Sequence, residues 1–353
     1  HSFDRNTGSI DLRVEPPAFD AQRPLSSLVD YSQLTTSGSG FDLVAGRVRL
    51  RADIAWSQQE QGQWATGGPV VLKLESLSGF YGETLFVGAR SDHFAELTQP
   101  RSLDPALDPA IDPAIEESLE EALPWTLESV RSSPLEIASI DSGLRVENAS
   151  MDYRFRLSPF EEQSISAELG NIRAGFLGGQ LSIPRLLLGV DSSREQRLDL
   201  VLSGVDLGSI VSLADYPEVS VDGLVSGYLP LTLRMNASEA QSPLVVTEGL
   251  ISALKPGGSI RYSPLGGVSS NQSIQLVNEA LANYQFSTLD TTLEVADDGA
   301  MSLGVALAGR NPDMNGGQAI NLNVSISDNL LDLVRSLRAS RDLTEELEKR
   351  VND

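Results

Sequence analysis

A hydrolytic relay, a metal centre or a phosphate loop would each need side chains that this chain supplies sparingly. It has two histidines, His1 and His93, and no cysteine. A Ser-His-Asp triad would have to use His93, in "SDHFAEL", and no G-x-S-x-G elbow accompanies it. Metal sites built on His and Cys are excluded by count. "GRNPDMNGG" has no Walker lysine, and "GGSIRYSPLGG" is no P-loop. Asp104, Asp108 and Asp112 recur at fixed spacing and invite a calcium reading, but no Gly-hinged loop of EF type surrounds them. Carboxylate pairs are plentiful; with 49 acidic residues against 26 basic ones, neighbours arise by chance. The inventory predicts no catalysis, no metal and no cofactor, with His93 on a surface helix or loop.

Charge excludes further classes. A net charge of −23 is the wrong sign for nucleic acid or anionic lipid headgroups, which need basic patches. A run of about eighteen apolar residues, enough for a membrane-spanning helix, is absent. The chain begins His-Ser and stops inside a charged helical pattern at Val351-Asn352-Asp353, so it reads as a piece of a longer protein with an artificial leader. The lack of cysteine suits a periplasmic setting without demanding it.

The elements that would position any site are strands. In "RVRLRADIAW", Val48, Leu50, Ala52, Ile54 and Trp56 alternate with Arg47, Arg49, Arg51 and Asp53. Just before it, Phe41, Leu43 and Ala45 have the opposite parity, and Gly46 at the switch predicts a bulge. Val70, Leu72 and Leu74 continue the pattern. Leu144 and Val146 precede a slip near Asn148-Ala149, after which Met151, Tyr153, Phe155 and Leu157 resume. Later runs carry Leu229, Leu231, Leu233 and Met235; Leu289, Leu293 and Val295; and Met301, Leu303, Val305 and Leu307. In the last, Ile320, Leu322, Val324 and Ile326 alternate with Asn321, Asn323, Ser325 and Ser327. About fifteen strands emerge, mostly joined by short turns of hairpin type.

Each strand is apolar on one face and polar on the other, as in antiparallel sheet with one covered face. The expected fold is mainly β: an elongated, curled antiparallel sheet forming a taco-like groove with an apolar interior and a few short helices. Helical patterns are expected at "DLGSIVSLAD", with Leu207, Ile210, Val211 and Ala214 on one side. A second is expected at "SNQSIQLVNEALANYQF", with Ile274, Val277, Leu281 and Tyr284 on one stripe. Two more are expected after Asp328 as N-cap and at "DLTEELEKRV". Residues 1–98 are expected to form a β-rich N-terminal part of the groove and 129–353 its C-terminal part. Between them, 99–128 reads as an acidic, Pro-rich insertion in which D-P-A-[LI] recurs three times before a short helix.

Two stretches resemble a known family. "LSGVDLGSIVSLADYPEVSVDGLVSGYLPLTL", followed by "VTEGLISALKPGGSIRY", has the cadence of AsmA-like envelope proteins. "GRNPDMNGGQAINLNVSISDNLLDLVRSLR" resembles the C-terminal end of the YdbH family, and the match covers about residues 200–350. The resemblance implies a periplasmic β-groove, inner-membrane anchored in the full-length protein, along which phospholipid acyl chains pass between two membranes. It implies a small outer-membrane lipoprotein, YnbE-like, as a partner that adds strands at the C-terminal end. The alternative is a TamB-like scaffold for outer-membrane protein assembly.

On this reading the groove is lined by Val48, Leu50, Ile54, Val70, Leu72 and Leu74, then Val146, Met151 and Phe155. It continues through Leu229, Leu231, Leu233, Leu293, Val295, Met301, Leu303, Val305 and Leu307 to Ile320, Leu322, Val324 and Ile326. Asn321, Asn323 and Ser325 mark the partner-binding edge. An acyl chain of sixteen carbons costs about 12 kcal/mol to expose to water. A conduit therefore needs continuous aliphatic cover, and no nucleophile or cofactor.

Overall fold

The computed structural model describes residues 2–3, 7–15, 18–27, 40–58, 64–99, 125–158, 165–189, 195–213, 217–234, 241–263 and 272–329. The fold is mainly β, and its strands form a large antiparallel sheet. The N-terminal strands are β1 (Ser2–Phe3), β2 (Thr7–Val14), β3 (Phe41–Gln58), β4 (Trp64–Tyr81) and β5 (Thr84–Thr98). They continue as β6 (Thr126–Ser129), β7 (Ser133–Asp141), β8 (Arg145–Leu157), β9 (Ile165–Phe176), β10 (Gly179–Leu188) and β11 (Gln196–Asp206). Helix α1 (Leu207–Leu213) leads to β12 (Val219–Asp222), β13 (Leu224–Leu233), β14 (Leu244–Ala253) and β15 (Gly258–Tyr262). Helix α2 (Gln272–Leu281) precedes β16 (Tyr284–Val295), β17 (Ala300–Arg310) and β18 (Ala319–Asn329). Among the described residues there are eighteen strands, against the fifteen or so expected. Short pieces such as β1, β6 and β12 carry too few residues to show a period.

The chain packs into two compact units. One comprises His1–Ser142, Asn148–Ile172 and Arg185–Asp191, and the other Gly143–Glu147, Arg173–Pro184 and Ser192–Asp353.

In the first unit β2, β3, β4 and β5 pair in chain order, and β5 then pairs with both β6 and β7. Gly46 does what its position predicts. Its φ is +99°, the β3–β4 register shifts on either side of Ala45, and Ser76 on the facing strand also has positive φ. One extra residue flips the parity, so Leu43 and Val48 both reach the apolar side although five residues separate them. Phe19, Leu43, Leu77 and Ala89 form a buried cluster beside this bend. Asn148, with φ of +50°, marks the slip expected in β8.

In the second unit the ladder runs β11, β13, β14, β16, β17, β18, with β12 and β15 pairing beside it. Bulges recur where Gly204 and Glu248 take positive φ. Helix α1 starts as its pattern predicts, with Asp206 Oδ1 accepting from the Ser209 backbone N–H at 2.7 Å. Helix α2 differs from its expected stripe. Ala280 is buried, whereas Leu276 and Val277 are exposed, and Tyr284 already begins β16. At this end of the helix the Asn311 amide donates to the carbonyls of Glu279 and Ala280.

The expected helix after Asp328 is corrected at its start. Strand β18 continues through Asn329, and Asp328 sits opposite Met301 in the ladder rather than capping a helix. Pairing with β17 supplies more backbone hydrogen bonds than one cap would. The rest of that helix, the one at "DLTEELEKRV" and nearly all of the acidic insertion, residues 100–124, lie outside the described residues. No helix among the described residues is long and apolar enough to cross a membrane.

Candidate functional site

Register decides which side chains share a face. In the second unit Leu293 lies opposite Leu303, and Leu303 opposite Ile326. The next rows are Thr291–Val305–Val324 and Leu289–Leu307–Leu322, and Val295 faces Met301. On the other side, Leu231 pairs with Leu198 and Val246, Leu229 with Leu200, and Leu233 with Leu244, while Val246 faces Val295. Directly opposed residues of an antiparallel pair point the same way. The predicted residues of β13, β16, β17 and β18 are therefore one apolar face of this unit, with Ile320 at its end beside Gly309.

Exposure along this face is graded. Leu229, Leu231, Val246 and Leu307 are buried, Leu303, Val305 and Leu322 are half-buried, and Val324 and Ile326 are 38% and 40% exposed. A sealed core would cover the last two. Asn321, Asn323 and Ser325 are exposed on the opposite, polar face. There Asn321 borders a trough of about 770 Å³ with a mixed lining that includes Asp222, Gln285, Phe286, Ala308 and Arg310. Strand β18 pairs with β17 along its whole length.

The first unit repeats the arrangement. Val48 faces Leu74, Leu50 faces Leu72 and Ala52 faces Val70. Ile10, Leu12 and Val14 of β2 lie opposite Ile54, Ala52 and Leu50. Ala52 and Val70 are buried, whereas Leu12 and Val14 are each 41% exposed. An apolar hollow of about 430 Å³ opens on this face, lined by Leu12, Leu50, Ala52, Ile54, Val70 and Leu127 among others. Phe155 packs against the same cluster, and Met151 shares its parity on β8. Val146, on the other side of the Asn148 bulge, belongs to the second unit. The opposite face carries ion pairs, Arg49 with Glu75 at 3.3 Å and Lys73 with Asp92 at 3.6 Å, which keep it wet.

His93 corrects the sequence reading outright. It is a strand residue of β5, fully buried, opposite Leu72 on the apolar face. Its ring stacks on Tyr153 at 4.7 Å and on Phe155 at 4.8 Å, and Nε2 lies 2.9 Å from Ser129 Oγ. Ser91 donates to the Pro134 carbonyl at 2.7 Å, and its Oγ lies 3.1 Å from the Tyr153 hydroxyl. Burial pushes the His93 imidazole below its ordinary value and the Tyr153 phenol above its own. The apolar face of this unit is thus not purely aliphatic, but its polar atoms mostly satisfy one another. The segment misled because its largest hydrophobe, Phe94, points the other way. Arg131 lies over the Phe94 ring there, 4.5 Å from its centroid.

Two one-sided sheet segments, each with part of its apolar face exposed, stand beside one family comparison. A family model described as YdbH-like, intermembrane phospholipid transport protein YdbH, matches residues 2–352. The chain belongs to the YdbH-like family. Membership assigns it to intermembrane phospholipid transport, and the YdbH-like family is a transport family rather than an enzyme family. Comparisons with curated proteins and with solved structures returned no match.

Proposed function

We propose that this YdbH-like chain is a bridge-like conduit: its apolar sheet faces shield phospholipid acyl chains in a β-groove while the headgroups stay in water. The observation that carries this reading is the exposure of Val324 and Ile326, and of Leu12 and Val14, on faces whose inner rows are buried. Each methylene taken from water onto such a face gains about 0.8 kcal/mol, so an aliphatic strip attracts acyl chains without needing a specific pocket. The residues named above as groove lining are the contact surface. In the full-length protein the conduit stands in the periplasm, anchored to the inner membrane. The backbone edge of β18, flanked by Asn321, Asn323 and Ser325, receives a small YnbE-like outer-membrane lipoprotein by strand addition.

The test is native mass spectrometry of gently extracted protein. Co-purified phospholipid that is lost in Leu303→Arg or Leu322→Asp supports the conduit. A lipid-free, monodisperse protein that takes up no fluorescent phospholipid overturns it, and leaves the TamB-like assembly scaffold as the reading to pursue.

A further inference from the structure

The His93 cluster fills a break in the sheet of the first unit. Strand β5 pairs with β6 from Thr98 back to Ala95, opposite Ser129, and with β7 from Ser91, opposite Leu135. Between them the chain loops outward at residues 130–132, where Val130 is 64% exposed. The Val130 N–H donates to the Phe94 carbonyl at 3.1 Å, and side chains close the rest of the interval. On the polar face Arg131 covers Phe94. On the apolar face His93 is wedged against Tyr153 and Phe155 of β8 and tied to Ser129.

The hydrogen bonds give the ring of this wedge a partner on one side only. Ser129 Oγ accepts from the Phe155 N–H at 2.7 Å, and its one proton is within reach of both the Phe155 carbonyl at 3.1 Å and His93 Nε2 at 2.9 Å. Nε2 therefore has Ser129 as its partner in either tautomer, whereas Nδ1 has none. Nδ1 is buried with no hydrogen-bond partner, and so is Oγ of Ser133, which the β5–β7 register places opposite His93. In the imidazolium the Nδ1 proton would have no acceptor within hydrogen-bond distance in this geometry.

Nor would the resulting charge find a counter-ion. Leu72 faces His93 from β4, Ser129 from β6, Ser133 from β7, and Tyr153 with Phe155 from β8. Tyr153 is the one titratable group among them, and burial keeps it neutral. Lys73, Arg90, Asp92, Glu128, Glu136, Asp152, Arg154 and Arg156 stand at the alternate positions of these strands and point to the other face.

We infer that His93 makes this break a pH-sensitive joint: the neutral imidazole closes it, and protonation parts β6 and β7 from β8 at that point. The inference goes beyond lipid shielding and does not rest on it. Because the folded imidazole binds its proton less readily than the unfolded one, the closing contribution is full above about pH 6.5. It declines as pH falls from there through the lower folded value.

The test is hydrogen exchange of the amides at 129–134 between pH 7.5 and 5, corrected for intrinsic exchange. The protein is compared with His93→Phe, which keeps the stacking but cannot titrate. Protection in the unaltered protein should fall about tenfold for each pH unit between the two values, and stay flat in His93→Phe. Equal loss in both proteins overturns the joint, as does pH-independent protection in the unaltered one. If His93→Phe does not fold, an NMR titration of His93 decides: an imidazole that titrates at or above 6.5 overturns the inference, and a lower value supports it.

Discussion

The hydroxyl of Tyr284, at the start of β16, donates to the Ile320 carbonyl of β18 at 2.6 Å. It crosses the width of β17 to do so. The phenol is fully buried, and that burial raises its pKa. Tyr284 thus ties down the start of the strand whose far part, at Val324 and Ile326, is the exposed end of the apolar face.

Removing that tie should loosen β18 and little else. Tyr284→Phe should cost about 1 kcal/mol of stability, more if the carbonyl is left without another donor. Denaturant unfolding reads the cost, and faster amide exchange confined to Ile320 and its neighbours shows where it falls.

The bend at Gly46 offers a second check. A Cβ built there would lie 2.5 Å from the Ser76 carbonyl oxygen, and φ of +99° disfavours any side chain. Gly46→Ala should destabilise the first unit by about 1 kcal/mol or more. An unchanged melting curve would mean that the bulge relaxes and does not set the parity switch.

Charge placed on either side of β17 should separate the two faces. Leu303→Arg points to the apolar face and should cut phospholipid binding by roughly tenfold or more, since a buried charge beside acyl chains finds no partner. Ser302→Arg is adjacent in sequence but sits opposite Glu294 on the polar face, and should bind lipid as before. Fluorescent phospholipid titration against both variants measures the difference; equal loss would dissolve the face assignment.

Strand docking has its own signature. Backbone N–H groups alternate between the two edges of a strand, so one of Asn323→Pro and Val324→Pro removes a donor facing away from β17. That variant should stay folded yet lose co-purification with the lipoprotein, whereas its neighbour should weaken the β17–β18 ladder. Undiminished capture by both folded variants would rule out docking at this edge.

Much of this was legible in the residues because period-two alternation is a local property of a half-covered strand. Leu229, Leu231 and Leu233, or Ile320 to Ile326, needed no partner to declare their shared face, and Gly46 and Asn148 declared the parity switches. Family membership was legible in the same way, in "GRNPDMNGGQAINLNVSISDNLL" and its companions. What alternation cannot carry is identity across space. It does not say that β5 is shared between β6 and β7, and so it could not show that a histidine fills the break between them. Nor could it show that Phe94, beside that histidine, would be the residue turned outward beneath Arg131. It gave Val324 and Leu231 the same rank, although one is exposed and the other buried. Local sequence determined which side of each strand is apolar. Only the tertiary pairing decided how much of that side is covered, because burial depends on which strands lie alongside.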